Sequence, residues 1–186
     1  MPALQHFAIR SLFLVACVIL ASCQKAELRY SASLDRAALM LLAFPTWQAN
    51  GPGLVQQVDL SATANDKHNT QPPATRAEIT PIYVVRLDET HAALLTNTRA
   101  IAEDNQRPYT CHMCPGFVGA YFFEHDANGW RMTARQDAAT QSGVEGDIGT
   151  TSIAKLSDGH YALASEWGSC WQGYPLVAWH SSVGQQ

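Results

Sequence analysis

The chain is poor in charge. Asp, Glu, Lys and Arg make up 15% of its 186 residues, 16 acids against 12 bases, for a formal net charge of -4. It carries no block of like charges. A mildly acidic, evenly mixed chain has no basic stripe with which to hold a phosphate backbone, so nucleic-acid binding drops out. Long apolar runs are missing as well. SLFLVACVILAS at residues 11–22 is uncharged over 12 residues, whereas a helix that crosses a bilayer needs about 20. Catalytic signatures are equally scarce: there is no HExxH helix, no nucleophile elbow, no glycine-rich phosphate loop and no Ser-His-Asp order. Glu145 and Asp147 stand close together in VEGDIG, but that loop lines up too few oxygens for a calcium site. These absences point away from an enzyme.

What is present at the start is an export signal. MPALQHFAIR carries Arg10 and no acid, and the 12-residue apolar stretch that follows has the length of a secretory core. The stretch ends in Leu20-Ala21-Ser22-Cys23: an aliphatic residue, two small residues, then cysteine. This motif resembles the lipobox of bacterial lipoprotein precursors. The resemblance covers the first 23 residues. It implies cleavage before Cys23, a diacylglyceryl group on its thiol, and a third fatty acyl chain, such as palmitate, on the new amino group. One acyl chain holds a protein to a bilayer only marginally, so several are needed for a stable membrane anchor. Gln24 stands where that family uses Asp for inner-membrane retention, which implies an outer-membrane address facing the periplasm. Loss of Arg10 with the signal takes the net charge from -4 to -5.

The expected organisation is a signal peptide at residues 1–22, a lipidated tether at 23–32 and a single domain at 33–186. SLDRAALMLLAF has helical spacing, with Leu34, Ala38, Leu41 and Leu42 on one face, Ser33 as N-cap and Pro45 as the stop. Residues 61–78 hold little to bury and two prolines, and read as a long loop. From residue 79 the period changes to two. ITPIYVVRL puts Tyr83, Val85 and Leu87 on one face, turns at Asp88-Glu89-Thr90, and returns as HAALLTNTR. VGAYFFEH, Asn128-Gly129 and WRMTARQ form a second hairpin with Trp130, Met132 and Ala134 on one side. TSIAKL, Ser157-Asp158-Gly159 and HYALASEW form a third, and PLVAWHS is a last strand. RLDETHAALL and KLSDGHYALA look alike, either from duplication or from one hairpin grammar used twice. The fold class is mainly β, a β-rich α+β chain: an antiparallel meander forming a curved sheet, a sandwich or a partial barrel, with one short N-terminal helix.

Besides Cys23 the mature chain keeps Cys111, Cys114 and Cys170. In an oxidising periplasm a disulfide is the default, and an odd count leaves one thiol over. Residues 109–116 read YTCHMCPG. Covalent haem attachment fails, because Pro115 stands where the haem histidine belongs. A thioredoxin-like site lacks its βαβ setting, since a strand follows Cys114. A zinc or copper site would take Cys111, His112 and Cys114, with Cys170 or His125 as a fourth ligand and Met113 as a soft donor for cuprous copper. The remaining reading is a disulfide that pins the irregular loop at 99–116, either Cys111 to Cys114 or one of them to Cys170.

EWGSCWQGYP, residues 166–175, brings Trp167, Trp171 and Tyr174 close together between glycines. Trp167 continues the Tyr161, Leu163, Ser165 face into the core. Trp171 and Tyr174 are expected to line an exposed ridge or groove, the kind of aromatic surface that dominates binding hot spots. His91, His160 and His125 flank turns. In overall character such a chain is similar to the small periplasmic inhibitor and immunity lipoproteins. That resemblance implies a non-enzymatic, lipid-anchored protein without cofactor that occludes a protein partner, here through 109–117 and 166–175. The alternatives are an envelope metal-binding or thiol-redox lipoprotein using CHMC, and a structural envelope lipoprotein.

Overall fold

The computed structural model describes residues 29–51, 53–60, 74–102, 111–112, 114–171 and 174–183; for 74, 169–171 and 174–183 the description covers the backbone alone. The lipobox, with Cys23, and residues 61–73 lie outside the described residues, as does Met113.

Helix α1 (Arg36–Ala43) starts at Asp35, whose carboxylate accepts the Ala38 amide at 2.8 Å. Ser33, the expected cap, instead donates its hydroxyl to that carboxylate at 2.5 Å. Together the Ser33 hydroxyl and the Ala38 amide hold the Asp35 carboxyl below its ordinary value. Pro45 follows the C-cap Phe44 and ends the helix. The buried stripe is Leu39, Met40 and Ala43, while Leu41 is 45% exposed. This rotates the expected Leu34, Ala38, Leu41, Leu42 face. Residues 37–43 read AALMLLA, so two adjacent stripes are equally apolar and only packing chooses between them.

Strands β1 (Leu54–Asp59), β2 (Ala74–Arg86), β3 (His91–Ala100), β4 (Gly116–Asp126) and β5 (Gly129–Ser142) pair antiparallel in chain order. They form a curled half-barrel around α1. Strands β6 (Thr150–Lys155), β7 (Tyr161–Trp171) and β8 (Tyr174–Val183) form a second antiparallel sheet. The fold is thus the expected β-rich antiparallel meander with one short helix among the described residues.

Irregularities in register make the curl. In β2, Pro81 faces Thr96 and Tyr83 faces Leu95, leaving Ile82 as an extra residue. Ala77 and Ile79 face the core before this bulge and Val84 does so after it, while Tyr83 turns to the outer layer. In β5, Thr133 is extra, and Asp137, Ala138 and Ala139 stand opposite Gly119 alone. Such insertions bend a strand and raise its twist. The curl brings β1 to β5, where the Asp59 amide donates to Asp137 at 3.2 Å. The first part of the expected loop at 61–78 is outside the described residues, but 74–78 belong to β2 with Thr75 and Ala77 buried. ATRAE has almost no apolar alternation, so its strand state comes from pairing with β1 and β3.

The inner face buries Leu94, Phe117, Tyr121 and Phe123 against Leu39, Met40 and Phe44. The outer face of β2–β4 carries the second sheet through Val118, Ile148 and Leu163, with Ile82, Tyr83 and Leu95 alongside. The Tyr83 hydroxyl donates to the Thr151 carbonyl at 2.5 Å and the Tyr161 hydroxyl to the Arg86 carbonyl at 2.9 Å. Strand β4 lies between the two layers, which is why GFVGAYFF is apolar almost throughout rather than alternating.

The two look-alike hairpins share a device. Leu87 donates its amide to the His91 carbonyl at 2.9 Å, and Leu156 to that of His160 at 2.7 Å. Each histidine Nδ1 sits on the turn aspartate, 2.8 Å from Asp88 and 3.0 Å from Asp158. The Thr90 amide, followed by the His91 side chain and amide, pulls the Asp88 carboxyl down to about 2. The Asn128 hairpin turns through Ala127 and Asn128, with Asp126 opposite Gly129. Beside it Ser31 exchanges two backbone hydrogen bonds with Trp130, at 2.9 and 2.7 Å, so the end of the expected tether is pinned to this pole of the sheet.

Candidate functional site

At the opposite pole, where β4 begins and β5 ends, three irregular segments meet. The first is the disulfide loop. Cys111 and Cys114 are joined, with sulfurs 2.07 Å and Cα atoms 5.0 Å apart, and the Cys114 amide closes the turn onto the Cys111 carbonyl at 3.0 Å. The second is GVEGDIG at 143–149. Val144 and Asp147 pair across it, and the Asp147 carboxylate accepts the Gly149 amide at 2.9 Å. Val144 and Ile148 are buried and hold the loop to the body. Gly143 has φ +77, and a Cβ there would lie 1.9 Å from the Asp147 carbonyl oxygen, so only glycine fits. Glu145 has φ 56 and is exposed. The third is Glu166-Trp167-Gly168 in β7. Two contacts tie the segments: Gly146 donates its amide to the Cys114 carbonyl at 2.7 Å, and the Ser165 hydroxyl donates to the Ile148 carbonyl.

Between these segments lies an open cleft of about 800 Å³, within the volume range of small-molecule sites. Arg99 at the end of β3, Cys111 and His112 form one wall. Glu145, Asp147 and Gly149 form a second, and Glu166, Trp167 and Gly168 a third. Arg99 Nε lies 3.5 Å from Asp147 and His112 Nδ1 lies 3.6 Å from Glu145. Glu166 is exposed.

The expected site residues divide clearly. Cys111, Cys114 and His112 come together at the cleft, and the disulfide takes the short pairing rather than a bond to Cys170. The zinc or copper alternative needs Cys111 and Cys114 as thiolates, and in this form both sulfurs are bonded to each other. His125 cannot join such a set: it lies at the far end of β4, next to Trp130 at 5.0 Å between ring centroids. Among the described residues no group of three or more His, Cys, Asp or Glu is placed to hold a metal. Cys170 pairs by backbone with Pro175, and Trp171 with Tyr174; their side chains lie outside the description. Trp167 is half-buried and lines the cleft instead of sitting fully in the core. Sequence reading missed Arg99 and Glu166, since a lone cation after a threonine-rich strand and a lone acid before tryptophan carry no spacing signal.

No family model, curated protein or solved structure matches this chain. What the site can do therefore rests on its own geometry. It is an open polar hollow with Trp167 in one wall, framed by the Cys111–Cys114 disulfide and the two hydrogen bonds that tie its segments.

Proposed function

We propose that this chain is a lipid-anchored protein of the bacterial envelope, held through Cys23 in the outer membrane and facing the periplasm, that binds a protein partner in the manner of small inhibitor and immunity lipoproteins. The observation that supports this reading is the convergence of the CHMC loop, the VEGDIG loop and the EWG segment on one cleft. The mechanism changes in one respect: these segments wall a hollow, so the cleft receives a loop of the partner while its rims cover the partner's surface. The tether suits this use. Ser31 is fixed at the Trp130 pole, and β4 has 11 residues, so at about 3.3 Å per residue the cleft opens roughly 35 Å from the point where the tether joins the body.

The test has two arms. Metabolic labelling with an acyl-chain precursor should mark the wild type and not Cys23→Ser; equal labelling of both refutes the anchor. Pull-down from envelope extract should recover a partner with wild type that Trp167→Ala and Trp171→Ala lose; identical recovery by all three removes the cleft and the ridge from the binding surface.

The thiol alternative has one observation in its favour, the exposure of Cys111 at the cleft wall. On purified, oxidised protein, alkylation followed by mass spectrometry should find Cys111 and Cys114 protected and freed together on reduction. Free thiols at both positions with bound zinc or copper would favour the metal reading.

A further inference from the structure

The disulfide joins residues only three apart. The shorter the loop a bridge closes, the less it constrains the unfolded chain, so its share in holding the fold is small. It is also open to other thiols. Cys111 is exposed and lines the cleft, while Cys114 is half-buried. Exposed disulfides are the labile ones, with regulatory or catalytic uses.

The ring bears directly on the 143–149 wall of the cleft. The Cys114 carbonyl accepts the Gly146 amide at 2.7 Å, and His112 Nδ1 lies 3.6 Å from the Glu145 carboxylate. Gly116, just past the ring, lies against the backbone of the same loop: a Cβ there would fall 2.6 Å from the Asp147 carbonyl carbon and the Ile148 nitrogen. The loop is held in a conformation that needs such support. Gly143, Gly146 and Gly149 all have positive φ, and Glu145, at φ 56, is the one non-glycine residue there among the described residues. L-side chains resist this region, and a residue persists in it where its surroundings fix it. Around Glu145 those surroundings are the Val144–Asp147 pair, the tie from Gly146 to Cys114, and His112. The last two belong to the ring.

We propose that Cys111–Cys114 is a redox switch for the cleft: reduction by a dithiol releases the 143–149 wall. A thiolate of the dithiol attacks Cys111 Sγ, the S–S bond breaks, and Cys114 leaves as a thiolate that takes up a proton. The second thiolate of the dithiol then attacks its own partner sulfur in the mixed disulfide. Cys111 leaves and is protonated, and the dithiol ends as a disulfide. Without its ring the 111–114 turn no longer holds the Cys114 carbonyl against Gly146, and Glu145 relaxes out of its left-handed backbone. This control acts on the cleft of the binding reading above, and rests on that reading for its effect on a partner.

The probe is dithiothreitol, added without denaturant to the oxidised full-length mature protein. Alkylation and mass spectrometry report the bond, and amide hydrogen exchange reports the loop. The bond should open while the core amides of β3 keep their protection. The Gly146 amide should then exchange at least about 5-fold faster, the lower end of typical coupling between sites. The double variant Cys111→Ser, Cys114→Ser should show this faster exchange with or without dithiothreitol. Coupling is reciprocal, so Gly143→Ala, which opens the loop, should shift the reduction equilibrium toward the dithiol form by a similar factor. A bond that opens only when the core unfolds overturns the switch, as does a Gly146 amide that exchanges equally in both states. Equal recovery of one envelope partner by oxidised and reduced protein overturns its control of the cleft. If reduction frees Gly146 and neither form recovers a partner, the switch stands and the binding reading falls. If Gly146 is unchanged and Trp167→Ala loses a partner that oxidised wild type recovers, the switch falls and the binding reading stands.

Discussion

Gly143→Ala is expected to lower the unfolding free energy by about 3 kcal/mol or more, combining a left-handed backbone that L-residues resist by about 1–2 kcal/mol with a steric clash. The clash is specific. A Cβ at Gly143 would sit 1.9 Å from the Asp147 carbonyl oxygen and 2.9 Å from the carbonyl carbon of Ile148, and these are backbone atoms that cannot rotate away. The 143–149 loop must therefore open, and with it the Gly146 bond to Cys114 that ties it to the disulfide loop. Gly159→Ala is the matched comparison. Its φ is +89, yet nothing lies within 4 Å of the added carbon, so only the backbone strain of about 1–2 kcal/mol applies. Urea unfolding of the two variants checks this; equal losses would mean that the loop does not press on Gly143.

The second large effect lies on the inner face of the half-barrel. Asp137, whose side chain is 8% exposed, accepts the Tyr121 hydroxyl at 2.9 Å, Arg135 Nε at 2.7 Å and the Asp59 amide at 3.2 Å. Arg135 in turn lies over the Phe44 and Tyr121 rings, 5.1 and 5.7 Å from their centroids. Asp137→Ala strips the fully buried Tyr121 hydroxyl of this acceptor and leaves the Arg135 charge without its carboxylate. Arg135 is exposed, so its share is small, and the expected loss is about 1–3 kcal/mol, mainly from leaving the buried Tyr121 hydroxyl without its acceptor. Tyr121→Phe, which removes one hydrogen bond and keeps the packing, should lose only about 1 kcal/mol.

The same network sets an alkaline limit. Burial, and then the Asp137 charge, push the Tyr121 hydroxyl above its ordinary value of 10.0. In the unfolded chain it ionises near 10 while in the folded protein it keeps its proton, so the folded state binds more protons. The stability contributed by Tyr121 is present in full below pH 10 and falls as pH rises above it, by about 1.4 kcal/mol per pH unit. Wild type minus Tyr121→Phe isolates this term from the other tyrosines; parallel stability curves above pH 10 would contradict it.

Much of the architecture was legible because its causes are local. Alternation along ITPIYVVRL, VGAYFFEH and HYALASEW, and turns at Asp88, Asn128 and Asp158, act over a few residues and so show in the chain itself. The helix was legible by its spacing and by Pro45, but not its buried stripe, which depends on what Leu39 and Met40 meet. ATRAE was illegible as strand because its pairing partners supply the order that its side chains do not.

The sequence by itself determined an antiparallel β-rich chain with one short helix, a cysteine pair poised for a disulfide, and the segments CHMC, VEGDIG and EWG as its unusual stretches. These follow from residue type and period, which need no neighbours in space. Only the tertiary structure decided that Cys111 takes Cys114, that Trp167 opens onto solvent rather than closing the core, and that Arg99 and Glu166 join it. The reason is geometric. Antiparallel pairing sets the beginning of β4 beside the end of β5, the second layer packs on the outer face through Val118, Ile148 and Leu163, and segments more than fifty residues apart in the chain then share one cleft.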